Sequence, residues 1–258
     1  MFPDLLSIGP LTIHTFGLFL VLGFVVGLLI ALRFGLDEGL NPLAILDMGF
    51  IIILLALIGS RLAYVLMNIS YYRNHMLDML KIWHGGLVFS GGLITVLLVL
   101  GWYLKPNRLL FWKTGDLWAP STAIGQSIGY FGCFLAGCCY GKPTELKWGV
   151  IFTHANALAP LNIPLHPTQI YGALSEFIIF ILLLYLRAKK RFEGQIFIWF
   201  LILHSTAQLL LERFRGDERG FIPGSEMTIN QLSALMILFA AVIALFLRKP
   251  KPGETNAS

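Results

Sequence analysis

Charged residues are scarce in this chain of 258 residues, since only 13% of them are Asp, Glu, Lys or Arg. Soluble globular domains carry about 25% charged residues. Apolar residues make up 57% of the chain, and the sequence has only three cysteines. These figures exclude a disordered chain, a coiled coil and a disulfide scaffold, and they favour a protein with several membrane-spanning helices.

Seven stretches are apolar and long enough to cross the membrane, which takes about 20 helical residues for about 30 Å of hydrocarbon. They are residues 13–32, 44–67, 85–104, 117–135, 168–186, 195–211 and 227–247. The sequence therefore predicts an all-α, polytopic membrane protein whose residues 1–247 form a single seven-helix transmembrane domain. Residues 248–258 are predicted to be a short polar tail in the cytoplasm.

The positive charges indicate how the chain is oriented. The dense basic clusters, at residues 187–191 and 248–251, fall on the same side of the predicted membrane. Because Lys and Arg concentrate in cytoplasmic loops, this side is assigned to the cytoplasm and the N-terminus to the outside. The concentration of Lys and Arg on the cytoplasmic side also explains the net charge of +5. The positive charge therefore does not predict a nucleic-acid partner.

Polar side chains recur at helical spacing in the sixth stretch. His204, Gln208 and Glu212 are four residues apart and Arg215 follows three later, so the four share one helix face. Ionisable groups inside a membrane are costly unless they are paired or hydrated. Two interpretations stay open: a structural network in which Glu212 pairs with Arg215, and a polar cavity open to the outer face.

Glycine pairs surround a short apolar segment in HGGLVFSGGL, residues 84–93, which contains His84, Ser90, Gly91 and Gly92. Glycine disfavours a helix by about 1 kcal/mol relative to alanine. The segment is either a close helix–helix contact made by small residues or a broken helix that lines a cavity.

A second stretch of small residues, GQSIGYFGCFLAGCCYGKPT at residues 125–144, holds all three cysteines. The spacing of Cys133, Cys138 and Cys139 does not match a structural zinc motif. We therefore predict buried thiols and no metal site. The stretch ends in a turn that begins at Gly141.

Two further polar residues stand in apolar surroundings. His166 precedes Pro167 in HPTQIYGALSEF, which places it in a loop or turn before the fifth stretch. Arg61 lies near the outer end of the second stretch. His166 is either a loop histidine whose hydrogen bonds are satisfied locally or a reactive group. Arg61 either extends outward to water or binds a phosphate.

Together these motifs resemble the prolipoprotein diacylglyceryl transferase family. The resemblance covers residues 8 to 247 and rests on IGPLTIHTFGLFLVLGF, GSRLAYVL, KIWHGGLVFSGGLI, GCFLAGCCYGKPT, HPTQIYGALSEF and ERFRGD, in this order. It implies a multi-pass enzyme of the bacterial inner membrane. Such an enzyme moves diacylglyceryl from phosphatidylglycerol to the lipobox cysteine of a preprolipoprotein and needs no cofactor. We expect a monomer.

The resemblance also implies roles for individual residues in one pocket below the outer membrane surface. The implied catalytic residues are Ser90, His204, His166 and Glu212, with His84 as a further candidate base. The implied lipid-binding residues are Arg61, Tyr130, Gln208, Arg215, Gly91, Gly92 and Gly141.

The chain departs from the family pattern at several of these places. The family usually has tyrosine at Phe16, histidine or an aromatic residue at Ser90, arginine at Tyr130, asparagine at Cys133, and tyrosine and arginine at His204 and Gln208. Three functions are therefore weighed. They are the transferase itself, a divergent paralogue acting on another lipid or acceptor, and a non-enzymatic protein that binds or transports lipid.

Overall fold

The computed structural model describes residues 4–8, 11–73, 75–80, 91–92, 95–96, 98–99, 111–217, 225 and 227–248. In chain order the elements are β1 (Asp4–Ile8), β2 (Leu11–His14), α1 (Thr15–Asp37), α2 (Pro42–Met67), α3 (Ile69–Tyr72), a 3₁₀ helix (Met76–Leu80), α4 (Phe111–Ala136), β3 (Val150–Ile151), β4 (Pro164–Leu165), α5 (Thr168–Arg187), α6 (Gln195–Glu212) and α7 (Ile229–Leu247).

Five of these helices, α1, α2, α5, α6 and α7, are long and apolar enough to cross a membrane. They coincide with five of the seven predicted stretches. The predicted stretch 117–135 lies inside α4, which is helical but less apolar. Most of the predicted stretch 85–104 lies outside the described residues, and so do two candidate catalytic residues, His84 and Ser90.

The surfaces of these helices are apolar where they are exposed. Phe50 on α2 is 66% exposed and Phe239 on α7 is 70% exposed. Water would disfavour such surfaces by about 25 cal/mol for each Å², whereas lipid chains solvate them. The protein is therefore a multi-pass membrane protein.

The chain forms two compact units, and the first comprises Met1–Ala31 and Gly115–Ser258. Its core consists of side chains from α4, α5 and α6: Ala119, Ala123, Ile179, Leu183, Ile196 and Phe200. In the same unit, α1 approaches α4 at backbone contact, because a Cβ on Gly23 would lie 2.6 Å from the Gly125 carbonyl oxygen. Small residues allow this close packing between helices in a membrane.

The second unit comprises Leu32–Thr114. Its α2 begins with Asn41, whose side chain accepts from the Leu43 N–H, and with Pro42 in the first turn. Both features favour a helix start.

The start of α6 depends on one buried acid of the first unit, Asp116, which is 0% exposed. Its Oδ2 accepts from the Gly194 N–H at 2.7 Å and its Oδ1 accepts from the Phe197 N–H at 2.9 Å. Lys190 Nζ lies 3.0 Å from Oδ2. Asp116 thus supplies acceptors to the N-terminus of α6, which has donors without partners inside the helix.

Two short antiparallel sheets, β1–β2 and β3–β4, accompany the helices. The all-α prediction therefore holds for most of the described residues but omitted these pairs. The β3–β4 pair lies next to candidate site residues. Leu165 of β4 also forms a bridge with Pro143, and Gly141, two residues before Pro143, forms a bridge with Arg215.

Candidate functional site

Three members of the predicted polar stripe, His204, Gln208 and Glu212, lie on α6, and each has a partner on another element. Because α6 ends at Glu212, Arg215 lies beyond the helix, and the prediction that all four share one helix face is wrong for Arg215. The deepest member is His204, whose Nδ1 lies 2.7 Å from Glu176 Oε1 on α5. Glu176 is 0% exposed, and the His204 ring stacks on Phe200 with centroids 5.3 Å apart. An acid and an imidazole therefore share a hydrogen bond between two helices.

The next member, Gln208, reaches α4. Its Nε2 donates to Tyr130 Oη at 3.0 Å. The Tyr130 ring fills the space above Gly172 of α5, where an added Cβ would lie 2.7 Å from ring atom Cε1. The two residues that stand at the family's arginine places thus contact each other and form a neutral pair.

This packing predicts the effect of enlarging Gly172. Gly172→Ala forces the Tyr130 ring to move, and we expect a loss of about 1–3 kcal/mol of stability, the usual effect of overpacking. Gly129→Ala is the control, because a Cβ there meets nothing within 4 Å, and it should be neutral or stabilising by up to about 1 kcal/mol. Thermal unfolding in detergent measures both. In a Tyr130→Ala background the effect of Gly172→Ala should vanish, and an unchanged loss would contradict this packing.

Glu212 ends α6 and connects it to α7. Its Oε1 accepts from Thr228 Oγ1 at 2.8 Å. Thr228 is the N-cap of α7 and forms a capping box with Gln231. A carboxylate at a helix N-terminus is favourable, because the first N–H groups carry partial positive charge. Glu212 therefore fixes the position of the segment that follows it.

That segment presents Arg215, which is buried with 6% exposure. Its Nε donates to Asp217 Oδ1 at 3.0 Å, an acid that the sequence analysis did not select although it lies two residues away in ERFRGD. Burial lowers the pKa of the Arg215 guanidinium, but Cys139 and Asp217 raise it, and the net shift is upward. Arg215 is therefore a permanent cation in a poorly hydrated place.

Gly141 brings Arg215 and His166 to the same place. Gly141 pairs with Arg215 across an antiparallel bridge, and the Lys142 N–H donates to the Phe214 carbonyl at 2.8 Å. On the other side, the His166 N–H donates to the Lys142 carbonyl at 2.9 Å. A Cβ on Gly141 would overlap the His166 carbonyl and lie 2.9 Å from the Phe214 carbonyl oxygen. The residue must be glycine for these three segments to meet.

His166 is held by aromatic neighbours. Its Nδ1 lies 3.4 Å from Tyr171 Oη, and Trp148 Nε1 donates to the same hydroxyl at 2.8 Å. The His166 ring also packs against Phe214, with centroids 5.2 Å apart. Phe214 immediately precedes Arg215, so the histidine and the arginine are joined through both backbone and ring contacts.

Arg61 belongs to the second unit and is 8% exposed, so it does not extend outward to water. Its Nε donates to the Met79 carbonyl at 2.8 Å and its Nη2 to the Asp78 carbonyl at 2.6 Å. Its guanidinium also lies 5.6 Å from the centroid of the Tyr72 ring. Arg61 thus anchors the 3₁₀ helix, a role that the sequence did not indicate.

Gly91 and Gly92, also in the second unit, lie against α2. A Cβ on Gly91 would overlap Ala63 Cβ and would lie 2.6 Å from the Gly59 carbonyl oxygen. A Cβ on Gly92 would lie 2.7 Å from the Ala56 carbonyl oxygen. These contacts agree with the interpretation of close helix packing by small residues.

Comparison with known proteins gives one consistent result. Residues 3–247 match the family model described as prolipoprotein diacylglyceryl transferase. A protein of Clostridium tetani named phosphatidylglycerol–prolipoprotein diacylglyceryl transferase is 32% identical over 246 residues, which covers 95% of this chain and 96% of that protein. A protein of the same name from Desulfotalea psychrophila is 34% identical over 92% of this chain and 89% of its own length. Another from Finegoldia magna is 31% identical over 92% of each chain. The chain therefore belongs to the prolipoprotein diacylglyceryl transferase family.

Proposed function

We propose that this chain moves the diacylglyceryl group of phosphatidylglycerol to the lipobox cysteine thiol of preprolipoproteins. The names of its relatives support this reaction over nearly the whole chain. The structural observation that carries the proposal is the meeting of His166 and Arg215 around Gly141. An anionic headgroup needs a cation, and a thiol needs a base, and this place offers both.

The reaction sets clear chemical demands. A base takes the proton of the substrate thiol, and the thiolate attacks the glyceryl carbon that carries the phosphate ester. The carbon–sulfur bond forms while the carbon–oxygen bond to phosphate breaks, and glycerol phosphate leaves with the electron pair. A fixed cation beside the phosphate stabilises the departing oxyanion, most strongly where water is excluded.

Arg215 meets the demand for a cation. It is buried and charged, and its Nε contact with Asp217 fixes the guanidinium plane. Glu212 serves as a positioning residue, because its bond to the N-cap Thr228 holds the end of α6. In this proposal the neutral residues Tyr130 and Gln208 contact the lipid as hydrogen-bonding groups.

His166 is the histidine that the geometry favours as the base. Its backbone lies beside that of Arg215 across Gly141. His204 lies two helical turns before Glu212, about 12 Å along the axis at 1.5 Å per residue, and it is paired with Glu176. We assign proton transfer to His166 Nε2, with Tyr171 orienting the ring at Nδ1, and we assign His204 a supporting role below the site.

The membrane arrangement stays part of this proposal. At 26 residues, α4 is about 39 Å long and can also span the membrane, and residues 85–104 supply a seventh span. The N-terminus then lies outside and the C-terminus inside, in the inner membrane of a bacterium. Residues 1–247 act as one domain of a monomer, and residues 248–258 form its cytoplasmic tail.

The test of the reaction also tests Arg215. Purified protein in detergent is given phosphatidylglycerol with a labelled diacylglyceryl group and a lipobox peptide, and we expect labelled peptide. Arg215→Gln should lower the rate about 10- to 150-fold, since a hydrogen bond to a charged group contributes about 1.5–3 kcal/mol. The matched control is Arg213→Gln, because Arg213 is exposed and its loss should change the rate less than twofold. Absence of product beside an active relative would reject the function.

One observation favours a second candidate, a paralogue that uses another lipid or acceptor. The Tyr130–Gln208 pair is neutral, whereas the resemblance to the family implies two arginines at these places. The same assay with phosphatidylethanolamine, phosphatidic acid and cardiolipin separates the two. Preference for phosphatidylglycerol supports the first function, and transfer from another lipid alone supports the second.

A further inference from the structure

Three cysteine thiols meet where α4 ends. Gly137 has a φ of 72°, its N–H donates to the Phe134 carbonyl at 3.3 Å, and the Cys138 N–H donates to the Cys133 carbonyl at 3.1 Å. This pair of bonds is the Schellman helix end, which turns the chain back onto the last helical turn. Cys138 therefore returns to Cys133, and Cys139, with a φ of 56°, brings a third thiol to the same place.

The thiols are close enough to share one ion. The three Sγ atoms lie within 4.8 Å of one another. Metal–sulfur bonds of about 2.3 Å place sulfur ligands about 3.8–4.0 Å apart, so small side-chain rotations suffice. We propose that Cys133, Cys138 and Cys139 form a binding site for a single thiophilic metal ion, Zn²⁺ or Cu⁺. Thiolate ligands select these two ions over harder cations.

The backbone of this site is held in place by two buried residues of α5. Thr168 Oγ1 donates to the Cys139 carbonyl and Gln169 Nε2 to the Cys138 carbonyl, both at 2.7 Å. Both side chains are 0% exposed. The other end of the same amide, Gln169 Oε1, is buried and accepts no hydrogen bond from the residues that the structure describes.

Charge and access also suit an ion. Three thiolates around Zn²⁺ leave a net charge of about −1, and the buried Arg215 guanidinium interacts electrostatically with Cys139. Cys138 and Cys139 are half-buried while Cys133 is buried, so an ion can enter from one side. The proposed ion site adjoins Arg215, but its three ligands are not among the residues assigned to the transferase reaction. Binding of the ion would deprotonate the three thiols outright and release their protons.

The test uses the full chain, reduced with a phosphine, freed of metal and titrated with Cd²⁺ as a soft probe ion. We expect one Cd²⁺ per chain and an ultraviolet sulfur-to-metal charge-transfer band, which Zn²⁺ or Cu⁺ displaces. The chain has only three cysteines, so the band reports this cluster. Cys138→Ser with Cys139→Ser should weaken binding at least about tenfold, the loss seen for an outer-shell partner.

A second measurement covers the case in which the serine variants do not fold. In the wild-type protein, bound Zn²⁺ or Cu⁺ should slow alkylation of the cysteines by a small maleimide at least about tenfold. Ca²⁺ and Mg²⁺ serve as controls and should give no protection. Absence of the charge-transfer band, a band that neither Zn²⁺ nor Cu⁺ displaces, or alkylation that both leave unchanged would overturn the proposal.

Discussion

Replacing His166 with glutamine is expected to lower the rate of diacylglyceryl transfer by about 10²–10⁴-fold, the usual contribution of a general base. Glutamine preserves size and hydrogen bonding to Tyr171 but cannot take the thiol proton. The acidic limb of the pH–rate profile reports an essential base that must be unprotonated. This limb should disappear in the variant, because the remaining rate no longer depends on an unprotonated imidazole.

Two other histidine substitutions make this expectation specific. His154→Gln is the control in the same loop region, where His154 Nδ1 accepts from the Asn156 N–H, and it should keep the wild-type rate and profile. His204→Gln should reduce the rate less than His166→Gln and leave the acidic limb in place. If instead the limb is lost with His204→Gln and survives with His166→Gln, the base is His204 and the assignment is wrong.

Replacing Asp116 with alanine is expected to reduce the free energy of unfolding by about 3–5 kcal/mol, the range for removing one partner of a buried ion pair. The change removes the carboxylate that pairs with Lys190 and that accepts from the Gly194 and Phe197 N–H groups. All four residues lie in one unit. Chemical or thermal unfolding in detergent measures the loss.

A matched substitution tests whether burial is the cause. Asp37 also pairs with a cation, Arg33, but its side chain is 54% exposed. Asp37→Ala should therefore lower stability by less than about 1 kcal/mol. Equal losses for the two variants would contradict the role of burial at Asp116.

The sequence allowed much of the helical architecture to be predicted, for a simple physical reason. A membrane requires long apolar helices, and such stretches stand out in a chain with few charges. The positions of α1, α2, α5, α6 and α7 follow from this property alone. The β3–β4 pair could not be foreseen, because two-residue strands carry no pattern of their own and form through tertiary contacts.

The polar stripe on α6 was predictable because helical periodicity is local. Its partners were not, since Glu176, Tyr130 and Thr228 are separated from the stripe by 28, 78 and 16 residues. Spacing along one helix indicates which residues share a face, but the tertiary packing decides what that face meets. Asp217 is the exception, as its position two residues after Arg215 is a signal that sequence reasoning could have used.

The spacing of the cysteines fits more than one local pattern. Their spacing excluded a zinc motif, and the sequence analysis therefore predicted no metal site. The separation of five between Cys133 and Cys138, with Gly137 just before the second, is instead the spacing of a Schellman helix end. That local motif brings the two side chains together without any metal-binding signature in the sequence.

Tyr130, Gln208 and Gly172 interlock, and this has a consequence for how the chain can evolve. Replacing Tyr130 alone with arginine would place a second cation near Arg215 and remove the acceptor of the Gln208 amide, while enlarging Gly172 alone would make it collide with the phenol ring. Each change is therefore unfavourable by itself, although changes at the three positions together need not be. In descendants of this protein the three positions are expected to be inherited as one epistatic block.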